Sequence, residues 1–405
     1  MNGLGRYENP YDQDKVYDAC GLFGIMDVRG RRFSRRDVIR AMANMHERGN
    51  GLGGGFAVYG CYPERADCYA FHVMYTERDR QPAVEAFLRD HFTLVHAEEV
   101  PHQSTPGIVN PPLIWRYFLQ LDGKCAPQGE EYVVEKVMTV NTAGQGAYIY
   151  SSGRDLGVFK GVGYSEQIAE YFSLADYEGY IWMGHGRFPT NTPGWWGGAH
   201  PFSLLDWSVV HNGEISSYGI NRRYLEMRGY HCTMRTDTEV MAYIADLLMR
   251  RHKLPIEVAA KVIAPPLWSQ IERMEPRQRA LCRTLRQVYS SLLVNGPFTV
   301  IIGREGEMIG LTDRIRLRPL TAAVQGDRLY LSSEEAAIRV VCPEPDRVWT
   351  PVGGEPIVGR RGVPLQEDRG IGVWECGSVA DRRKLACSES SQQCKLTLPE
   401  FTTAI

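Results

Sequence analysis

The chain has 405 residues, 43% of them hydrophobic, which is enough for one large core or two smaller ones. Its formal net charge of −2 gives no electrostatic footprint for nucleic acid or an anionic membrane. Its polar, acidic start is not a secretory signal, and no stretch approaches the ~20 apolar residues of a membrane span. The ten cysteines do not make a disulfide scaffold in a chain this long, so a reducing cytoplasm is the expected setting. None sits in a C-x-x-C pair, so they read as ordinary cysteines rather than zinc ligands.

Cys20 opens the first element, the apolar run "GLFGIMDV", which reads as a buried strand. A buried strand can use such a cysteine as a small hydrophobe; a nucleophile made N-terminal by removal of a leader, residues 1–19, is the alternative. In "SRRDVIRAMANMHERGN", Ser34 and Asp37 form a capping-box pattern, Val38, Met42 and Met45 share a helical face, and Gly49 ends the helix. "GLGGGFAVYG" is a glycine loop opening a strand, the reverse order from a dinucleotide fingerprint. "QPAVEAFLRDHF" reads as a helix, and Pro101, Pro106, Pro111 and Pro112 mark loops in a mixed stretch from 93 to 135.

"GAYIYSSGRDLGVFKGVG" has the form of a hairpin turning at Ser-Gly-Arg-Asp. "YIWMGHGRF" and "WSVVHNGEI" are strands ending in polar residues, and "RTDTEVMAYIADLLMRRH" is a helix with Asp237 near its start. "FTVIIGREGEMIGLTD" and "TAAVQGDRLYLSSE" add strands, with a short helix after them. Strands at both ends with helices between point to an α+β protein of largely antiparallel sheets. Residues 376–405, rich in Ser, Gln, Lys and Thr, read as a polar C-terminal tail.

The densest polar signal lies between 184 and 239. Taken singly, Arg187 reads as a surface ion-pair residue, Asn212-Gly213 as a hairpin turn and Asp237 as a helix cap. Taken with Cys20, they supply what an amide hydrolase for a free amino acid requires. A free α-amine on Cys20, with a pKa of about 7.7–8.0, can take the thiol proton. Asn212 and Gly213 offer amide donors for an oxyanion. Arg187 presents a fork for a carboxylate, and Asp237 a counter-charge for an ammonium.

At these residues the chain resembles the class II glutamine amidotransferase domain, an N-terminal-nucleophile (Ntn) hydrolase. The resemblance rests on "CGLFGI" at 20–25, "HERGNGLGGG" at 46–55, "GHGRFPTNT" at 184–192, "AHPF" at 199–202, "HNGEI" at 211–215 and "TDTE" at 236–239. "LTDRIRLRPL" at 311–320 and "LSSE" at 331–334 extend it, with Arg316 standing where the family's common form has glycine. The forms "RFPTNT" and "RGNGLGGG" are most similar to the amidotransferase part of glutamate synthase, especially the archaeal type with a separate subunit.

The resemblance implies a four-layer αββα fold, here a domain over residues 20–375 with an insertion-like stretch at 60–180 that matches no motif. It implies Cys20 as nucleophile, Asn212 and Gly213 as oxyanion hole, and Arg187, Asp237 and Thr190 as substrate-binding residues. It implies L-glutamine as substrate and ammonia delivered to a flavin-dependent glutamate synthase subunit. Nothing in the chain resembles a flavin barrel, a nicotinamide site or an iron–sulfur cluster, so FMN and iron–sulfur are expected on partner subunits. Another ammonia-receiving chemistry, such as methylamine as acceptor in an N-methylglutamate synthase, is the alternative; a catalytically silent subunit of the same fold is a second.

Overall fold

The structure, a computed structural model, describes residues 19–123, 128–144, 146–189 and 194–365. The first apolar run forms β1 (Gly21–Asp27), every residue of which is buried. The short β2 (Phe33–Ser34) leads to α1 (Arg36–Asn44) and then, through the glycine loop, to β3 (Gly54–Tyr59). Next come β4 (Tyr69–Tyr75), α2 (Gln81–His91), β5 (Thr93–Glu99), β6 (Leu113–Gln120), α3 (Glu130–Thr142) and β7 (Ala147–Ser151). The chain continues through β8 (Leu156–Gly161), α4 (Ser165–Tyr171), β9 (Glu178–Gly179), β10 (Ile181–Gly186), β11 (Phe202–Leu204) and β12 (Trp207–Gly213). A helical stretch follows: α5 (Tyr218–Glu226), α6 (Asp237–Ala245), α7 (Ile256–Ile263), α8 (Trp268–Ile271) and α9 (Pro276–Val288). The hairpins β13 (Phe298–Arg304)–β14 (Glu307–Thr312) and β15 (Thr321–Gln325)–β16 (Arg328–Ser332) precede α10 (Glu335–Val341), β17 (Arg347–Trp349) and β18 (Ile357–Arg360).

Two antiparallel sheets stack at the centre. One runs β17-β15-β16-β1-β10-β3-β8, the other β11-β12-β13-β14-β18. Strands β1 and β10 of the first pack on β12 and β13 of the second. Helices α1, α4 and α10 cover the outer face of the first sheet, and α6 covers the second, with α5 packed against α6. This is the α+β, αββα Ntn arrangement that the sequence leads one to expect. It explains the unbroken apolar character of β1: a strand covered by helices on one face and a second sheet on the other has no polar face to show. The stretch after β3 builds a separate antiparallel sheet, β5-β6-β4-β7, carrying α2 and α3, before β8 rejoins β3.

Several local expectations change. Ser34 does not cap α1: it pairs with Glu178 in β2–β9, Arg35 holds the cap position, and Asp37 instead pairs with Arg328 at 3.2 Å. Val38, Met42 and Met45 are buried as the periodicity requires. The Ser-Gly-Arg-Asp turn does not close a hairpin, because β7 pairs with β4 and β8 with β3. The mixed stretch contains β5 and β6, with the prolines in the loop between them. Arg316 takes φ 55, the left-handed conformation that glycine adopts without strain, and its guanidinium donates to Pro351 O at 3.1 Å. Cys376, Cys387 and Cys394 lie outside the described residues, as does the rest of the tail.

Candidate active site

Cys20 stands at the entrance to β1. Its carbonyl accepts from Arg48 Nε at 3.1 Å, and Arg48 is itself held by Glu334 at 2.7 Å. The thiol sulfur receives the Phe188 N–H at 3.3 Å. Burial pushes the Cys20 thiol up; the Phe188 N–H, Arg187 and Arg48 pull it back, and Asp237 adds to the rise.

Arg187 follows β10 and is buried, not a surface residue. The glycine loop fixes its backbone: its N–H donates to Gly53 O at 2.8 Å and its carbonyl accepts from Asn50 at 3.2 Å. Gly53 leaves room for the side chain, since an added Cβ would lie 2.9 Å from Arg187 Cδ. The loop thus does for an arginine what glycine loops elsewhere do for a phosphate: it brings backbone close.

Asn212 and Gly213 end β12, opposite Thr299 and Phe298, so they form no hairpin turn. Phe298 spends both its backbone groups on Asp313, on the β14 side. In an antiparallel ladder this makes Gly213 and Phe298 a non-hydrogen-bonded pair, and the Gly213 N–H points away from β13. On that side β11 reaches only as far as Val209, so among the described residues no strand takes this donor. Asn212 is buried, and neither its amide nitrogen nor its amide oxygen has a hydrogen-bond partner among the described residues. Buried amides are nearly always satisfied, so a bare one marks a position that awaits a ligand.

Asp237 is the first residue of α6; the cap is Thr236, whose side chain accepts from the Glu239 N–H. Asp237 Oδ2 accepts the Ile215 N–H at 3.1 Å, and Oδ1 lies 3.6 Å from His211 Nδ1 and 3.3 Å from Thr238 Oγ1. Burial acts to raise its pKa, but His211, the Ile215 N–H and Thr238 outweigh this and hold the carboxyl below its usual range.

Cys20, Arg187, Gly213 and Asp237 line one cavity of about 340 Å³, with Asn212 buried beside Gly213. Thr190 lies outside the described residues. Sequence reasoning assigns no role to four buried polar residues that surround this cavity. His200 and His211 line it, and Thr238 bridges them, its Oγ1 lying 3.1 Å from His211 Nδ1 and from His200 Nε2. Glu239 accepts three consecutive backbone N–H groups, from Thr233, Met234 and Arg235, and so holds the loop that leads to Asp237. The motifs "AHPF", "HNGEI" and "TDTE" carried these residues; for His211, a polar residue inside an otherwise apolar strand, that position was the available signal, and His200, Thr238 and Glu239 gave none. Among the described residues no group of three or more His, Cys, Asp or Glu is placed to hold a metal.

The sequence profile of the class II glutamine amidotransferases matches residues 112–349, more than half of the chain. The chain belongs to this family. An uncharacterised protein of Archaeoglobus fulgidus is 58% identical to this amidotransferase over 353 residues, 86% of this chain and 93% of that one. The amidophosphoribosyltransferase of Methanocaldococcus jannaschii is 25% identical over 198 residues, 48% of this chain and 36% of that one. Among solved structures, the Bacillus subtilis glutamine phosphoribosylpyrophosphate amidotransferase, complexed with ADP and GMP, aligns at a TM-score of 0.43. That alignment has 16% identity and covers 87% of this amidotransferase but only 50% of the longer Bacillus chain.

Proposed function

We propose that this amidotransferase hydrolyses L-glutamine to glutamate and ammonia through a γ-glutamyl thioester on Cys20, and passes the ammonia to a separate flavin-dependent glutamate synthase subunit. The observation that carries the hydrolytic half is the lining of one cavity by a thiol, a buried arginine, a strand-end N–H and a carboxylate. With residues 1–19 removed, the Cys20 α-amine takes the thiol proton and the thiolate attacks the side-chain amide carbon. Asn212 Nδ2 and the Gly213 N–H hold the oxyanion. Collapse of the tetrahedral species breaks the C–N bond, and the α-ammonium gives its proton to the departing nitrogen. Water then hydrolyses the thioester, returning the thiol. Arg187 pairs with the substrate's α-carboxylate, Asp237 with its α-ammonium, and Thr190 joins them.

The synthase half rests on the forms "RFPTNT" and "RGNGLGGG". In this reading FMN and iron–sulfur clusters sit on the partner subunits, and the complex works in the cytoplasm. Mass spectrometry of the active protein's N-terminus should find Cys20 first. The electrophilic analogue 6-diazo-5-oxonorleucine should label Cys20 alone, and Cys20→Ala should abolish labelling and hydrolysis. An active chain that still begins at Met1 would overturn the α-amine as base. Co-expressed with a flavin-dependent synthase subunit from the same source, the chain should co-purify and hydrolyse glutamine faster when 2-oxoglutarate and reductant are present. No complex and unchanged turnover would make it a free-standing glutaminase.

A further inference from the structure

We propose that Asp237 fastens the oxyanion segment as well as gripping substrate, with His211 and Thr238 as positioning residues in the same frame. This rests on the glutaminase reading above. The observation is where the two carboxylate oxygens go. One accepts the Ile215 N–H at 3.1 Å; the other lies 3.6 Å from His211 Nδ1. Residues 211 and 215 flank Asn212-Gly213, so the carboxylate is hydrogen-bonded to one side of the oxyanion segment and faces the imidazole on the other side at a longer contact distance. Thr238, next on α6, repeats the tie: its Oγ1 is 3.1 Å from His211 Nδ1 and 3.3 Å from Asp237 Oδ1. From the first sheet, His185 Nε2 donates to the His211 carbonyl at 3.0 Å.

Among the described residues the Asn212 amide has no partner of its own, so its direction is set by this frame and by strand pairing with Thr299. Preorganised donors stabilise a developing oxyanion only while they stay aimed at it. A displacement of the Asp237 carboxylate therefore reaches the chemical step, not substrate binding alone. An α-ammonium bound to Asp237 shares a carboxylate with the donors that must polarise the amide at the other end of the same molecule. Discrimination against amides lacking the α-amine should then appear in kcat as well as in KM.

The experiment uses the processed chain beginning at Cys20. Steady-state glutamine hydrolysis separates kcat from KM, and alkylation by iodoacetamide measures the Cys20 thiol independently of glutamine. Asp237→Asn keeps an oxygen for the Ile215 N–H but loses the charge; it should raise KM about tenfold or more and leave kcat within about threefold. Asp237→Ala loses both, leaving a buried N–H unpaired, and should lower kcat by a further ~5–150-fold. Thr238→Val, of nearly equal volume, should lower kcat with KM changed by less than about threefold, and Thr238→Ser should restore it. Alkylation of Cys20 should proceed at the wild-type rate in the Thr238 variants and no more slowly in the Asp237 variants, where loss of a charge that raises the thiol's pKa favours the thiolate.

Equal kcat in Asp237→Asn and Asp237→Ala would overturn the proposal. So would equal losses in Thr238→Val and Thr238→Ser, which would assign the effect to the methyl group's packing rather than the hydroxyl. A wild-type chain with an alkylatable N-terminal Cys20 that does not hydrolyse glutamine is a different result: it removes the glutaminase reading, and this proposal with it.

Discussion

Gly213→Ala isolates the backbone requirement of the proposed oxyanion segment. Gly213 has φ 144, and a Cβ built there would stand 1.9 Å from Pro297 O and 2.9 Å from Phe298 Cα. Both neighbours are backbone atoms, drawn close by hydrogen bonds from Glu214 N–H to Pro297 O at 3.0 Å and from Ser216 N–H to Asn295 O at 2.8 Å. Cβ atoms essentially never come within 3.0 Å of such neighbours, so the two chains must part. A separation of roughly 1 Å is enough to cost about 10²-fold in a positioned site. The broken Glu214–Pro297 bond costs about 1–3 kcal/mol and the conformation, now denied to a non-glycine residue, about 1–3 kcal/mol more. The expected outcome is a stability loss of about 2–6 kcal/mol together with a kcat loss of about 10²-fold. Gly296→Ala is the companion variant: φ is 122 and its Cβ would stand 2.0 Å from Glu214 O. It wedges the same two chains without altering the Asn212 amide or the Gly213 N–H, so stability should fall similarly and kcat less. Urea unfolding and initial-rate glutaminase assays on both variants measure this. Wild-type stability and kcat in Gly213→Ala would refute the geometric argument.

Arg187→Lys keeps the charge but loses the two-pronged geometry, so it should raise KM for glutamine more than it lowers kcat; steady-state kinetics decide. Arg316→Gly removes a strain of about 1–2 kcal/mol and adds about 0.5–1 kcal/mol of unfolded-chain entropy, a net of zero to about 1.5 kcal/mol towards greater stability that the lost hydrogen bond to Pro351 O partly offsets; unfolding by urea measures the sum. Lys160 is buried, donates to Gly197 O at 3.0 Å, and burial pushes its pKa down to about 7, with Glu239 opposing the shift. The unfolded chain binds this proton more tightly, so the Lys160 contribution to stability is fully present above the unfolded pKa and is lost as pH falls through the folded value of about 7. Lys160→Met should raise stability at pH 7 and remove up to about 1.4 kcal/mol per pH unit of slope above it; denaturant titrations between pH 7 and pH 9 measure this.

The strands that build the two stacked sheets were legible because each is an unbroken apolar run with turn residues at its ends, as in β1, β10 and β12–β14. That Arg187, Asn212, Gly213 and Asp237 gather at one cavity was legible for a related reason: the first three are polar or small residues at the ends of such runs, and Asp237 opens an apolar helix. What was not legible depends on partners remote in sequence. Whether the Ser-Gly-Arg-Asp turn joins paired strands is decided by β3 and β4, far upstream, and they claim β8 and β7 separately. Ser34 had good cap chemistry but was taken by a strand partner at Glu178. Lys160 sits in "VFKGVG" as a residue that local alternation would turn to solvent, yet Phe202 and Tyr150 close over it. Of the histidines around the cavity, His185 and His211 carry only the weak local signal of a polar residue in an apolar strand, and His200 carries none; their partners come from strands and a helix start that meet only in three dimensions.

The sheet β5-β6-β4-β7 leaves and re-enters the framework through a single doorway. Strands β3 and β8 are direct neighbours with Tyr59 opposite Leu156, and the Gly60 N–H donates to Asp155 O at 2.8 Å across the opening. The two ends of the intervening chain are therefore already as close as the ends of a tight hairpin loop. Closing that gap costs the framework little more for a long excursion than for a short one, since closure entropy grows only with the logarithm of length. Cys20, Arg187, Asn212, Gly213 and Asp237 all lie outside the doorway, on segments that keep their spacing whatever passes through it. The fold thus carries a built-in graft point, where a module can be enlarged, trimmed or exchanged while the residues around the cavity stay in register.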